Sequence, residues 1–190
     1  MARSADSSDE DLMLCYRDGD AGAFDELYRR HKGGLYRYLL RQCRDTAAAE
    51  ELFQDIWTNL IRARRSYTVT AKFTTYLYRL AHNRLIDHYR GHARGVVLSF
   101  DDQEGPALEE PSTSGQEQPE TRYESKQLAA RLLAQLKALP EAQREAFVLQ
   151  YEAGMTVEEI AIATGVSRET AKSRLRYALG KLRLGMGEWR

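Results

Sequence analysis

Arg168, Lys172, Ser173 and Arg176 recur at helical intervals in GMTVEEIAIATGVSRETAKSRLRYALGKLR, the stretch from Gly154 to Arg183. Cationic and hydroxyl side chains gathered on one helix face donate to base edges and neutralise phosphates, which is recognition chemistry rather than bond chemistry. A second stretch, FTTYLYRLAHNRLIDHYRGHAR, interleaves Tyr76, Tyr78 and Tyr89 with Arg79, Arg84, Arg90 and Arg94. Rings offer stacking platforms to unpaired bases while arginines hold the strand's phosphates, so this mixture suits single-stranded nucleic acid. Leu77, Leu80, Ala81 and Leu85 form a core stripe on the same segment. Tyrosines that merely border that core explain the helix equally well.

The first stretch carries its own folding signals. Thr156 followed by Glu159 is a capping box, and Val157, Ile160 and Ala161 then share one face. Gly165 sits where the chain must turn, Val166 is an apolar plug, and Ser167 can cap a second helix from Arg168. Ala171, Leu175, Ala178, Leu179 and Leu182 form that helix's inner stripe, opposite the basic residues. The pattern predicts a helix-turn-helix whose second helix enters the major groove, with a plain helical hairpin as the competing reading.

The chain is 190 residues long with no formal net charge, but the charge is uneven. Residues 1–60 hold 8 basic and 12 acidic side chains, 61–94 hold 8 and 1, 95–122 hold 1 and 7, and 123–190 hold 11 and 8. A zero average therefore conceals a polyanion-binding stripe. Residues 95–122 also gather three of the four prolines, and nothing in them can bury a core. They read as a flexible acidic linker between two small all-α domains, 11–94 and 123–190, with residues 1–10 as a disordered lead.

In the first domain Leu12, Tyr16, Phe24, Leu27, Leu35 and Leu39 recur at helical intervals, with Gly19 and Gly22 marking a turn. Asp45 and Thr46 can cap a third helix over about 47–64, where Leu52, Ile56 and Leu60 face inward and Gln54, Asp55, Asn59 and Arg62 face outward. SYTVTAKF reads as a loop, and a fourth helix spans Phe73 to Arg94. In the second domain a break at Leu139–Pro140 separates two bracing helices.

Cys15 and Cys43 lack CxxC spacing, and His88 and His92 lack a surrounding HExxH, so reduced thiols and no metal site are expected. No nucleophile and base, glycine-rich phosphate loop or metal constellation points to catalytic residues or a cofactor. No apolar run approaches the length of a membrane span, and the acidic N-terminus is unlike a signal peptide, which predicts a cytoplasmic protein without direct membrane insertion.

The order AEELFQDIWTNL, KFTTYLYRLAHNRLIDHYR, acidic tether, LPEAQREAFVLQYEAGMTVEEIAIATGVSRETAKSRLRYALGKLR resembles the two-domain sigma factors of bacterial RNA polymerase. It is similar in particular to the extracytoplasmic-function (ECF) group, which keeps only the second and fourth sigma regions. The resemblance implies a region 2 domain that binds core polymerase and melts the -10 element, and a region 4 domain that reads the -35 element. It assigns Leu52, Gln54, Asp55 and Arg62 to core polymerase. It assigns Tyr67, Lys72, Phe73, Tyr76, Arg79, Asn83 and Arg84 to the -10 strand, and Arg168, Lys172, Ser173 and Arg176 to -35 DNA. It further implies an anti-sigma partner, and a monomer when the chain is free.

Two departures from the family pattern stand out. Tyr76 replaces a tryptophan found in many relatives, and Glu169 puts a negative charge at the reading end of the last helix. The competing functional readings are a dimeric DNA-binding regulator and a helical scaffold. The first needs a dimerisation surface and leaves the FQDIW stripe and the aromatic, arginine-rich helix unexplained; a salt-insensitive, purely protein-binding profile would favour the second.

Overall fold

The computed structural model describes residues 7–43, 45–94 and 119–187. Among them are eight α-helices and no strand: α1 Asp9–Arg17, α2 Ala21–Gln42, α3 Thr46–Ala63, α4 Phe73–Arg94, α5 Pro119–Ala138, α6 Glu141–Tyr151, α7 Val157–Thr164 and α8 Arg168–Gly187. A single 3-10 turn, Arg64–Ser66, follows α3. The fold class is all-α, as expected.

Helix starts follow capping chemistry. Ser8 accepts from the Asp11 amide, Asp20 from Gly22 and Asp45 from Ala48, each filling an otherwise orphan donor. Gly19, at φ 113, makes the turn between α1 and α2, whereas Gly22 lies inside α2 rather than in that turn. Helix α6 starts after Pro140 with no side-chain cap, and α4 borrows one. Lys72 cannot cap it, and the Phe73 amide instead donates to the Glu10 carboxylate at 2.6 Å, a cap supplied by α1.

The expected lead, residues 1–10, lies only partly within the described residues. Residues 1–6 lie outside the described residues, but Ser8 to Glu10 are built into the bundle. Asp9 pairs with Arg30 at 2.8 Å and His31 at 2.7 Å, and Glu10 caps α4. Most of the expected linker, residues 95–118, lies outside the described residues, while α5 already begins at Pro119, four residues before the expected boundary.

Helices α1 to α4 bury Leu27, Leu35, Leu39, Leu52, Ile56, Leu60, Phe73 and Leu77 almost completely. This core does not close within the first half of the chain. Ala146, Val148 and Leu149 of α6, Met155, and Ile160 of α7 belong to the same continuous apolar cluster. The two halves are packed on each other: α7 lies along α4, and α6 meets α2. A smaller cluster, Leu136, Leu139, Ala178 and Leu182, ties α5 to α8.

Candidate nucleic-acid interface

The helix-turn-helix is built by local chemistry. The Thr156 amide donates to Glu159 at 2.8 Å and the Glu159 amide to Thr156 at 3.3 Å, which closes the capping box at the start of α7. Gly165 takes the left-handed conformation at φ 65, open to glycine without strain, and its neighbour Val166 packs against the core. Ser167 accepts from the Thr170 amide at 3.1 Å, so α8 starts at Arg168. Ala171, Leu175, Ala178 and Leu182 are buried, which turns Lys172 and Arg176 outward.

On this face Lys172 and Arg176 are exposed and Ser173 is half-buried. Arg168 is also exposed but already engaged, its guanidinium bonded to Glu158 on α7 and 3.7 Å from Glu169. The Arg176 guanidinium lies 5.2 Å from the centre of the Tyr177 ring, and Tyr177 is itself exposed. Tyr177 therefore belongs to the same surface, although helical periodicity alone gave it no role.

Residues 67–72 form the expected loop before α4. The structure brings Tyr67, Phe73 and Tyr76 together, with the Tyr67 and Tyr76 rings edge-on at 5.1 Å and Phe73 6.3 Å from Tyr76. Tyr67 and Phe73 are 3% and 0% exposed. Burial leaves neither ring an open face in this structure, and Tyr76 alone of the three is half open. Burial also pushes the Tyr67 hydroxyl up to about 12, with Glu10 adding to the shift. Tyr78 is buried too, edge-on to Tyr38 at 5.2 Å, which removes it from the stacking platforms.

Lys72, Arg79 and Asn83 are exposed along one side of this region, with Arg84 half-buried. Lys72 is paired with Glu159 at 2.8 Å, a contact that raises the ammonium's pKa and lowers that of the carboxylate. The exposed cations and the half-open Tyr76 ring together form a strip able to hold the backbone of an unpaired strand and stack one base.

On α3, Gln54 and Arg62 are exposed and Asp55 is half-buried. Leu52 is 0% exposed. It anchors α3 from within, while its expected partners Gln54 and Arg62 reach the surface. Asp55 is bonded to Arg84 across the α3–α4 groove.

Sequence reasoning missed Glu145 on α6 and Glu152 just beyond its end, which face the first half. Glu145 accepts from the Tyr38 hydroxyl at 2.6 Å and lies 2.8 Å from His82 Nδ1. Arg41 donates to Glu152 at 3.0 Å. Their partners stand far away along the chain, so no local pattern announces them. Among the described residues no cluster of three or more His, Cys, Asp or Glu side chains could hold a metal ion, and no helix is long and apolar enough to cross a membrane.

Comparison with known proteins places this geometry. Residues 27–95 match the family described as Sigma-70 region 2, and residues 135–184 match Sigma-70, region 4. The chain is 33% identical over 178 residues to RNA polymerase sigma factor CarQ of Myxococcus xanthus, covering 93% of this chain and 96% of that one. It is 30% identical over 179 residues to ECF RNA polymerase sigma factor SigK of Mycobacterium tuberculosis, covering 93% of each. Two solved structures share the fold. CnrH in complex with the cytosolic domain of CnrY superposes with a TM-score of 0.68 at 21% identity, covering 97% of this chain and 100% of that chain. The sigma factor RpoE of Bartonella quintana, in complex with the anti-sigma factor NepR, gives 0.67 at 20% identity over 88% and 98%.

Proposed function

The chain belongs to the ECF group of RNA polymerase sigma factors, and from that premise we propose how its surfaces divide the work. As a sigma factor it binds core RNA polymerase and directs promoter-specific initiation through the -10 and -35 elements. The proposed boundaries are 11–94 for the polymerase-binding and -10 domain and 123–190 for the -35 domain. The outward residues of α3, Gln54, Asp55 and Arg62, dock on core polymerase. Lys72, Tyr76, Arg79, Asn83 and Arg84 hold the melted -10 strand, with Tyr67 and Phe73 fixing the loop beneath them. Lys172, Ser173 and Arg176 read the -35 duplex, and Arg168 joins them by exchanging Glu158 for phosphate.

The observation that carries this division is the contrast between two cationic surfaces. One is flanked by a half-open aromatic ring and suits a strand with its bases exposed. The other lies on a helix-turn-helix and suits a closed groove. The chain performs no bond chemistry in this scheme; polymerase does. Its place of action is the cytoplasm, where polymerase and promoter are, and regulation falls to an anti-sigma protein, in keeping with the CnrY and NepR complexes of the two similar folds.

Permanganate probing of promoter DNA tests the assignment. Thymines in the -10 region should become reactive only when core polymerase and this chain are both present. Reactivity with core alone, or none with both across a promoter pool, would refute it.

A further inference from the structure

Asp9 and Glu10 are neighbours in the first turn of α1, and because successive side chains on a helix diverge, they reach different elements. Asp9 pairs with Arg30 and His31 on α2, which fixes α1 against the bundle together with its buried Leu12, Met13 and Tyr16. Glu10 is half-buried, crosses to α4 and accepts from the Phe73 amide at 2.6 Å. The same helix meets the other end of the loop. The Arg64 guanidinium, just before Tyr67, lies 5.1 Å from the centre of the Tyr16 ring. Helix α1 therefore holds residues 67–72 from both ends, while Thr68, Val69 and Thr70 between them are exposed.

The loop's own residues leave the start of α4 unsatisfied. Lys72 stands at the position before the helix, its carbonyl accepting from the Tyr76 amide at 3.1 Å, and a lysine side chain has no acceptor to offer the first amides. Tyr67 contributes a buried ring, but its hydroxyl has no hydrogen-bond partner among the described residues. A short polar residue at position 72 would cap α4 locally and remove an exposed cation. Glu10 resolves that conflict: the orphan amide is satisfied from another helix, and Lys72 stays exposed beside the strand-reading surface.

We propose that Glu10 is a positioning residue for promoter reading: by holding the Phe73 amide it sets where the exposed 68–70 tip stands relative to the Tyr76 ring, and so which bases of the unpaired -10 strand are favoured. The proposal rests on the sigma-factor reading of this surface. Base preference needs the reading groups placed to a fraction of an ångström. Grip on phosphates does not, because a flexible lysine side chain follows a phosphate that moves. Losing Glu10 should therefore blunt discrimination more than affinity.

The experiment uses holoenzyme assembled from the full chain and core polymerase, with a single-stranded DNA pool randomised across the -10 stretch as the probe. Bound strands are sequenced, and the enrichment of the most favoured base over the least favoured gives a discrimination ratio at each position. Glu10→Ala should lower the largest ratio about fivefold, the size of effect that follows from losing one helix-capping hydrogen bond. Glu10→Asp keeps the charge but draws the carboxylate back by a methylene, and should lose discrimination too. Glu10→Gln keeps a side-chain oxygen at full reach and should restore it. In the free chain, hydrogen exchange at the Phe73 amide should speed up about fivefold in Glu10→Ala and slow again in Glu10→Gln.

A role in stability alone would lower the melting temperature of Glu10→Ala and leave the ratios where they were. Ratios for Glu10→Ala and Glu10→Asp equal to those of the unaltered chain would overturn the proposal, and so would a Glu10→Gln variant as indiscriminate as Glu10→Ala. If Glu10→Ala fails to fold, Glu10→Asp carries the test. Should holoenzyme with the unaltered chain enrich no sequence beyond those that core polymerase enriches alone, the sigma-factor reading itself fails and takes this proposal with it. Where the unaltered chain does enrich one, only the role of Glu10 is at stake.

Discussion

Asp55 on α3 and Arg84 on α4 are joined through a single carboxylate oxygen, with Arg84 Nε at 2.9 Å and Nη2 at 2.5 Å. Asp55 is assigned to polymerase docking and Arg84 to the promoter strand, so the two surfaces share a fastening. Asp55→Arg would place two guanidinium groups against each other. It should abolish core polymerase binding and also weaken single-strand binding by moving Arg84, while leaving -35 duplex binding intact. Exchanging the charges in Asp55→Arg/Arg84→Asp should recover thermal stability without recovering polymerase binding. Co-elution with core polymerase and a thermal melt check both; loss of duplex binding in Asp55→Arg would contradict separate surfaces.

Leu52 and Gln54 separate support from contact on the same helix. Leu52→Ala empties a fully buried site and should cost about 2–5 kcal/mol of stability, seen as a lower urea midpoint. Gln54→Ala should leave stability within about 0.5 kcal/mol and lower polymerase affinity instead. The opposite pattern would put Leu52 at the interface.

On α8 Lys172, which makes no ion pair among the described residues, should outweigh the engaged Arg168. Lys172→Ala should weaken -35 duplex binding and reduce the slope of log affinity against log salt by about one, as expected for one phosphate contact. Arg168→Ala should do less, since Arg168 first has to leave Glu158. Glu158→Gln should therefore strengthen binding, and anisotropy titrations over a salt series check all three.

Alkaline stability follows from buried acids. Burial pushes the Cys43 thiol up to about 12 from an ordinary value near 9.0, and the Tyr67 and Tyr78 hydroxyls up to about 12 from 10.0. The folded chain keeps protons that the unfolded chain releases, so stability falls as pH rises above the unfolded values toward the folded ones. Urea midpoints should be level up to about pH 9 and decline from there to about pH 12. Cys43→Ala should remove the earliest part of the decline. A midpoint that stays level over that range would contradict the burial of these groups.

Where the physics is local, the sequence already spelled out the structure. Thr156 with Glu159, Gly165 and Ser167 each act on backbone groups within a few residues, and the helix-turn-helix lies where they put it. The start of α4 at Phe73 was legible from the change in composition. Its cap was not, because Glu10 reaches it from 63 residues away. Periodicity also could not rank the tyrosines: Tyr76 and Tyr78 are two positions apart, and only packing against Tyr38 sends Tyr78 inside. The packing between the two halves was the least legible feature. Glu145 and Tyr38 are 107 positions apart, and acidic residues on short helices read equally well as solvated.

Purified core polymerase, a pool of promoter fragments and this chain suffice for the decisive measurement, the mapping of transcript 5′ ends with and without the chain. New start sites should appear only on adding it and vanish with Asp55→Arg. If no new start site appears while the same core polymerase initiates normally with another sigma factor, the assignment is contradicted.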